Sequence, residues 1–159
     1  PKALALIPPA MRPQVRHQAG EKHLSALTGY YAAAGVDAEC VSFIADMAGA
    51  YAWADLVICR AGALTVAELA AAGVASILVP YPHAVDDHQT GNARFLSTAG
   101  AAILLPQHEL SPEHLARVGD MSRAQLLQMA VNARELARAD ATAAVVQACI
   151  ELTEPRTAR

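Results

Sequence analysis

The nine residues from Arg60 to Glu68, RAGALTVAE, follow an apolar run ending in LVIC and hold a glycine turn, a hydroxyl and a carboxylate at short spacing. Gly62 permits a tight turn and a close approach of backbone to a ligand. A helix opening with Ala63 and Leu64 presents unpaired N–H groups there, and together with the helix dipole these favour a phosphate or diphosphate. Thr65 adds a hydroxyl donor, and Val66 and Ala67 carry the helix on to Glu68. That carboxylate would repel a phosphate but suits a pair of vicinal hydroxyls, so it could hold a ribose beside the diphosphate. A purely structural reading competes: Thr65-Val66-Ala67-Glu68 also fits the S/T-x-x-E capping box, in which the glutamate bonds the first N–H groups of its own helix. Spacing alone leaves both open.

A second group is PYPHAVDDHQTGN, Pro80 to Asn92. Its prolines force an extended loop, and Asp86 or Asp87 can cap the helix that follows. Gln89 and Asn92 share one face of that helix and offer amide donors and acceptors suited to sugar hydroxyls. His83, Asp86, Asp87 and His88 could be read as metal ligands, but their spacing matches no established metal site, and carboxylates ahead of a helix are usually caps. The third group is SFIADM, Ser42 to Met47. Phe43 and Met47 could flank a flat base while the backbone around Ile44 bonds its edge; packing into the core is the alternative. Tyr51 and Trp53 read as packing residues of AYAWAD, where a Trp also suits an interface. His17, His23, His108 and His114 carry no pattern and read as surface or hydrogen-bonded residues.

The elements that must position these groups follow from hydrophobic period. Short β-branched runs predict strands at Val15–Gln18, Glu39–Phe43, Asp55–Cys59, Ser76–Val79 and Ala101–Leu105. Alanine-rich segments predict helices at Lys2–Ile7, Glu21–Ala34, Met47–Trp53, Leu64–Ala72, Asp87–Thr98, Pro112–Val118, Arg123–Ala137 and Thr142–Leu152. Gly35, Gly73 and Gly100 stand where helices should stop. The alternation implies an α/β fold with a doubly wound parallel sheet covered on both faces, in one domain over residues 1–152 with a frayed tail at 153–159. In such sheets ligands bind beyond the carboxyl ends of the strands, and all three groups lie at predicted strand ends. Because the chain opens in a helix, the first central strand is expected to be missing, leaving a gap between two halves of the sheet.

Composition narrows the classes. A chain of 159 residues, 54% hydrophobic, with a formal charge of −3, is neither disordered nor a carrier of the basic run that a nucleic acid needs. Cys40, Cys59 and Cys149 are odd in number and far apart, which reads as reduced thiols. The opening PKALALIPPAMRP is too broken for a signal peptide or membrane span.

Taken together, FIADMAGAYAWADLVICRAGALTVAELAAAGVASILVPYPHAVDDHQTGNARFL resembles the C-terminal domain of the MurG family of peptidoglycan glycosyltransferases. The combination of AYAWAD, R-x-GA-x-T-x-x-E and P-x-PHA-x-DDHQ-x-x-NA carries the resemblance, which extends upstream through VRHQAGEKHL and downstream through the alanine-rich helices. It implies the Rossmann-like C-terminal half of a two-domain GT-B fold, binding UDP-N-acetylglucosamine, with no tightly bound cofactor and no metal. The positions that match donor contacts are Ile44 for the uracil edge, Ala63 to Glu68 for diphosphate and ribose, and Gln89 with Asn92 for the sugar hydroxyls. Phe43 and Met47 match residues near the base, Arg60 and Gly62 frame the phosphate turn, and either His88 or Gln89 takes a given sugar contact. Ala61 stands where the family often has a serine.

The resemblance further implies an N-terminal domain ahead of Pro1, with the lipid I acceptor site, the catalytic base and a membrane-facing patch. The intact protein would then be cytoplasmic and peripheral on the inner face of the bacterial membrane, with no catalytic residue in this segment. Three rivals stand beside this reading: a UDP-sugar-binding module without catalysis, a UDP-sugar epimerase of the same fold, and a metal-assisted hydrolase using His83, Asp86, Asp87 and His88.

Overall fold

Five short strands alternate with helices along residues 1–153, the part of the chain that the computed structural model describes; the expected tail lies outside the described residues from Glu154 onward. The strands are β1 (Arg16–Gln18), β2 (Glu39–Val41), β3 (Leu56–Cys59), β4 (Ala75–Leu78) and β5 (Ala102–Leu104). The helices are α1 (Lys2–Leu6), α2 (Leu24–Ala34), α3 (Met47–Trp53), α4 (Ala63–Ala72), α5 (His88–Ser97), α6 (Pro112–Ala116), α7 (Arg123–Glu135) and α8 (Ala141–Thr153). Each expected element is present, α3 with the expected bounds and the others with shifted ends. The largest difference among the strands is at β2, which stops at Val41 and leaves Phe43 and Ile44 in the following loop.

All pairings are parallel, and the sheet is in two parts. β1 pairs with β2, while β3, β4 and β5 form a separate sheet in that order. The break falls where the sequence places it, between the second and third strands.

Local chemistry explains where helices stop. Gly35 and Gly73 hold left-handed backbone, φ 61° and 66°, at the C-caps of α2 and α4, a conformation that costs glycine nothing. At Gly73 a Cβ would also come within 3.2 Å of Arg134 Cβ on α7. The Arg134 guanidinium donates to the carbonyl of Ala71, so α7 satisfies the last turn of α4. A capping box does exist in the chain, at the start of α7: Ser122 Oγ accepts from the Gln125 N–H, and Gln125 Oε1 accepts from the Ser122 N–H.

The larger core lies between the second sheet and its helices. Val66, Leu69 and Ala70 of α4 and Ala93 and Leu96 of α5 meet Leu78, Ala102 and the half-buried Val57, Cys59 and Leu104. The strand residues in this set alternate along each strand, as one face of a sheet must. The opposite face is covered at the central strand, where Ala75 and Ile77 are buried, but open at the two edge strands. There Ile58, Ile77 and Ile103 lie in one register row, and Ile77 is buried while its neighbours are 50% and 42% exposed. A smaller cluster, Leu27, Tyr31 and Val36, packs α2 near β1 and β2.

One buried polar atom stands out among these. Ser76 on β4 is fully buried, and its hydroxyl has no hydrogen-bond partner among the described residues. Ser76→Ala should therefore raise stability by about 1 kcal/mol, since it removes an unsatisfied group. Leu69→Ala, at a position with no exposure, should lower stability by about 2–5 kcal/mol. Urea denaturation midpoints of the two variants against the parent check both signs.

Candidate functional site

The turn after β3 starts α4, and its geometry separates the two readings of Thr65 and Glu68. Gly62 is the N-cap, and the first rung of the helix is the Val66 N–H to the Gly62 carbonyl at 2.9 Å. The N–H groups of Ala63, Leu64 and Thr65 therefore precede the ladder, and glycine has no side chain to cap them. Thr65 is the third helical residue and Glu68 the sixth, so neither holds the position that a capping box requires. The Glu68 side chain turns instead to α3, where the Tyr51 hydroxyl donates to its Oε2 at 2.9 Å. Gly62 itself departs from expectation. Its φ of −64° and ψ of 147° are open to any residue, and a Cβ there would make ordinary contact with Thr65 Oγ1.

Arg60 turns toward the loop after β4. Its Nη1 donates to the carbonyls of Val79 at 3.3 Å and Pro80 at 3.2 Å, and its guanidinium lies 5.6 Å from the centre of the Tyr81 ring. It thus ties the end of β3 to the loop after β4. The two amides expected to meet a sugar are also engaged in scaffolding. Asn92 Nδ2 donates to the Ala61 carbonyl at 3.0 Å, and Gln89 Oε1 accepts from the Tyr81 N–H at 2.9 Å. Each keeps its other polar atom: the Asn92 oxygen and the Gln89 NH2.

In the loop before α5, Asp86 and Asp87 both hold left-handed backbone, φ 52° and 51°, which Asp tolerates better than most residues. Asp87 is the N-cap of α5, as expected of one of the pair, but its Oδ1 accepts from the Thr90 hydroxyl at 2.6 Å in place of a backbone N–H. His83 meets the Tyr81 ring edge-on at 5.5 Å. Among the described residues, no three His, Cys, Asp or Glu side chains converge as metal ligands would. His88 opens α5 with an exposed side chain.

The loop after β2 forms the wall of an open cavity of about 460 Å³, bounded by Phe43, Ile44 and Asp46, by Arg16 and Glu39 of the first sheet, and by Trp53. Phe43 is 72% exposed, so packing into the core does not account for it. Met47, 37% exposed, lies outside the lining of this cavity, as do Ala63 to Glu68. Asp46 caps α3 by accepting from the Gly49 N–H at 2.8 Å, and a Cβ at Gly49 would collide with that carboxylate.

Residues 2–145 match the family model of the glycosyltransferase family 28 C-terminal domain. The chain belongs to this family. It is 66% identical over 154 residues to the UDP-N-acetylglucosamine--N-acetylmuramyl-(pentapeptide) pyrophosphoryl-undecaprenol N-acetylglucosamine transferase of Dechloromonas aromatica (strain RCB), covering 97% of this chain and 44% of that protein. A protein of the same name from Azoarcus sp. (strain BH72) is 66% identical over 159 residues, 99% of this chain and 45% of that protein. The crystal structure of Acinetobacter baumannii MurG superposes with a TM-score of 0.86 at 45% identity, over 94% of this chain and 46% of that one. The fold is thus the Rossmann-like C-terminal half of a GT-B glycosyltransferase. The chain spans less than half the length of the relatives it matches.

Sequence reasoning missed Tyr51 as a partner of Glu68, because the two are 17 residues apart on different helices and no local spacing links them. It also missed Arg16, whose guanidinium pairs with Glu39 at 2.7 Å and lies 5.3 Å from the Trp53 ring centre. The signal for that pair is weak, since it needs the register of β1 on β2.

Burial raises three acids of this domain. The Cys59 thiol, at the end of β3, is pushed up to about 11 from an ordinary value of 9.0. The Tyr31 phenol is raised by burial and by the nearby Cys40, and the Tyr51 phenol by burial first and then by its bond to Glu68 and that carboxylate's charge. An acid raised in the folded state gives stability that is complete below its unfolded pKa and is lost as pH climbs through the folded one. Stability should therefore hold to about pH 9 and fall between there and about pH 11. Urea midpoints across that range check this, and a flat profile would contradict the burial of these groups.

Proposed function

We propose that this chain is the donor-binding part of a glycosyltransferase that moves N-acetylglucosamine from UDP-N-acetylglucosamine to the 4-hydroxyl of the N-acetylmuramyl-pentapeptide carried on undecaprenyl diphosphate. The reaction is a direct displacement with inversion at the anomeric carbon. The observation that carries the reading is the open start of α4: three N–H groups ahead of the ladder, with a hydroxyl and a carboxylate on the same helix and neither spent on capping. The names of relatives at 66% identity supply the substrate class.

In this mechanism the N–H groups of Ala63, Leu64 and Thr65 take the charge that develops on the departing diphosphate, aided by the positive end of the helix dipole. Glu68 accepts from the ribose hydroxyls. Phe43 and Ile44 form a wall for the uracil, with Met47 close by in sequence. The free amide atoms of Gln89 and Asn92, with His88 beside them, face the sugar hydroxyls and fix the anomeric carbon for attack. The base that takes the acceptor's proton lies in the other half of the protein, as do the lipid-binding surface and the contact with the inner face of the membrane. No helix among the described residues is long and apolar enough to cross a membrane. The donor-binding unit spans residues 1–152.

The test is calorimetric titration of UDP-N-acetylglucosamine into the complete polypeptide. Glu68→Ala should weaken binding about ten- to a hundredfold, as loss of a hydrogen bond to a charged group does, and Thr65→Ala by less. Unchanged affinity in both variants would overturn the site. Product analysis separates the enzymatic rivals: disaccharide on the lipid acceptor supports transfer, and an epimerised UDP-sugar formed without acceptor supports the epimerase.

A further inference from the structure

We infer that Tyr51 is a positioning residue for nucleotide binding, holding the Glu68 carboxylate in the orientation that receives the ribose; this rests on the reading of Glu68 as the ribose ligand. Glu68 stands on an exposed face of α4, where a glutamate has several rotatable bonds and samples many rotamers. Freezing such a side chain on binding weakens affinity. Tyr51 removes that freedom beforehand. Its ring packs against the core cluster of the second sheet, so its hydroxyl is a fixed point, and it donates to Glu68 Oε2 at 2.9 Å.

The geometry leaves the carboxylate able to do its work. An ionised carboxylate has about four acceptor sites, and one phenolic donor on Oε2 leaves Oε1 and a lone pair of Oε2 for the adjoining hydroxyls of a cis-diol. Burial and the neighbouring carboxylate both raise the phenol, so it stays a donor at neutral pH. Asp46 fixes the first turn of α3 through the Gly49 N–H, and this holds the helix that carries Tyr51. Tyr51 acts through Glu68 and not on the reacting atoms, so its removal should raise the KM for the donor and leave kcat near its original value.

The experiment compares UDP with 2′,3′-dideoxyuridine diphosphate, which lacks both ribose hydroxyls, on the complete polypeptide and its Tyr51→Phe and Glu68→Gln variants. Tyr51→Phe should weaken UDP about three- to tenfold and leave the dideoxy ligand within about twofold, with the thermal midpoint little changed. Equal loss for both ligands would mean a merely structural role and overturn the proposal, as would no loss for either. If Glu68→Gln narrows the gap between the two ligands and Tyr51→Phe does not, the positioning role alone falls. If Glu68→Gln leaves the gap untouched, the ribose reading falls and takes the positioning role with it.

Discussion

The carbonyl of Ala61 is the point on which the site hangs. Ala61 is fully buried, and a buried backbone carbonyl must find a donor or cost the fold a hydrogen bond. It finds Asn92, one turn into α5, at 3.0 Å. That single bond joins the turn that starts α4 to the helix that carries Gln89 and Asn92. Arg60, one residue earlier, reaches the Val79 and Pro80 carbonyls, and the next residue, Tyr81, gives its N–H to Gln89. The turns after β3 and β4 therefore form one hydrogen-bonded unit at the carboxyl ends of neighbouring strands. A rigid, open helix start needs such support, because its own first N–H groups offer none.

This arrangement also changes what Gln89 and Asn92 mean. Read from spacing, they are amides on a helix face awaiting hydroxyls. In the structure each uses one polar atom to hold the loop and keeps one to present. An amide anchored at one end has its flip state and rotamer fixed by that bond, so the atom it presents is also fixed. Arg60 differs: its long, cationic side chain beside the turn that opens α4 suggests a ligand, yet its Nη1 goes to two backbone carbonyls.

The elements were legible because the period of the hydrophobic residues switches cleanly between strands and helices, and because Gly35 and Gly73 mark helix ends with left-handed backbone. The break in the sheet was legible from topology alone. Thr65 and Glu68 were not, since the same four residues satisfy a capping box and a binding helix, and the choice depends on where the helix begins. It begins at Ala63, and that places Thr65 inside the helix. Tyr51 reads as a packing residue, which its ring is, while its hydroxyl reaches across to the next helix. The open edges of the sheet are not legible, because Ile58 and Ile103 alternate like core residues, and period shows which face they share but not what lies over it.

The break in the sheet bears directly on function. Phe43 and Ile44 follow a strand of the first part, whereas Ala63 to Glu68 follow a strand of the second, and no strand pairing joins the parts among the described residues. One tie between them is the packing of α1, which sits by the first sheet's cluster, on α6; another is α3. At one point Trp53 lies under the Arg16 guanidinium of β1, and at another Tyr51 bonds Glu68 of α4. A seven-residue helix, capped by Asp46, thus spans both parts through side chains on its own two turns. Both contacts lie at the surface, so each is worth no more than about 1 kcal/mol. If, as proposed, the base lies at Phe43 and the phosphates at Ala63, α3 contributes to the distance between them, and a change in that helix should be felt at both ends of a bound nucleotide.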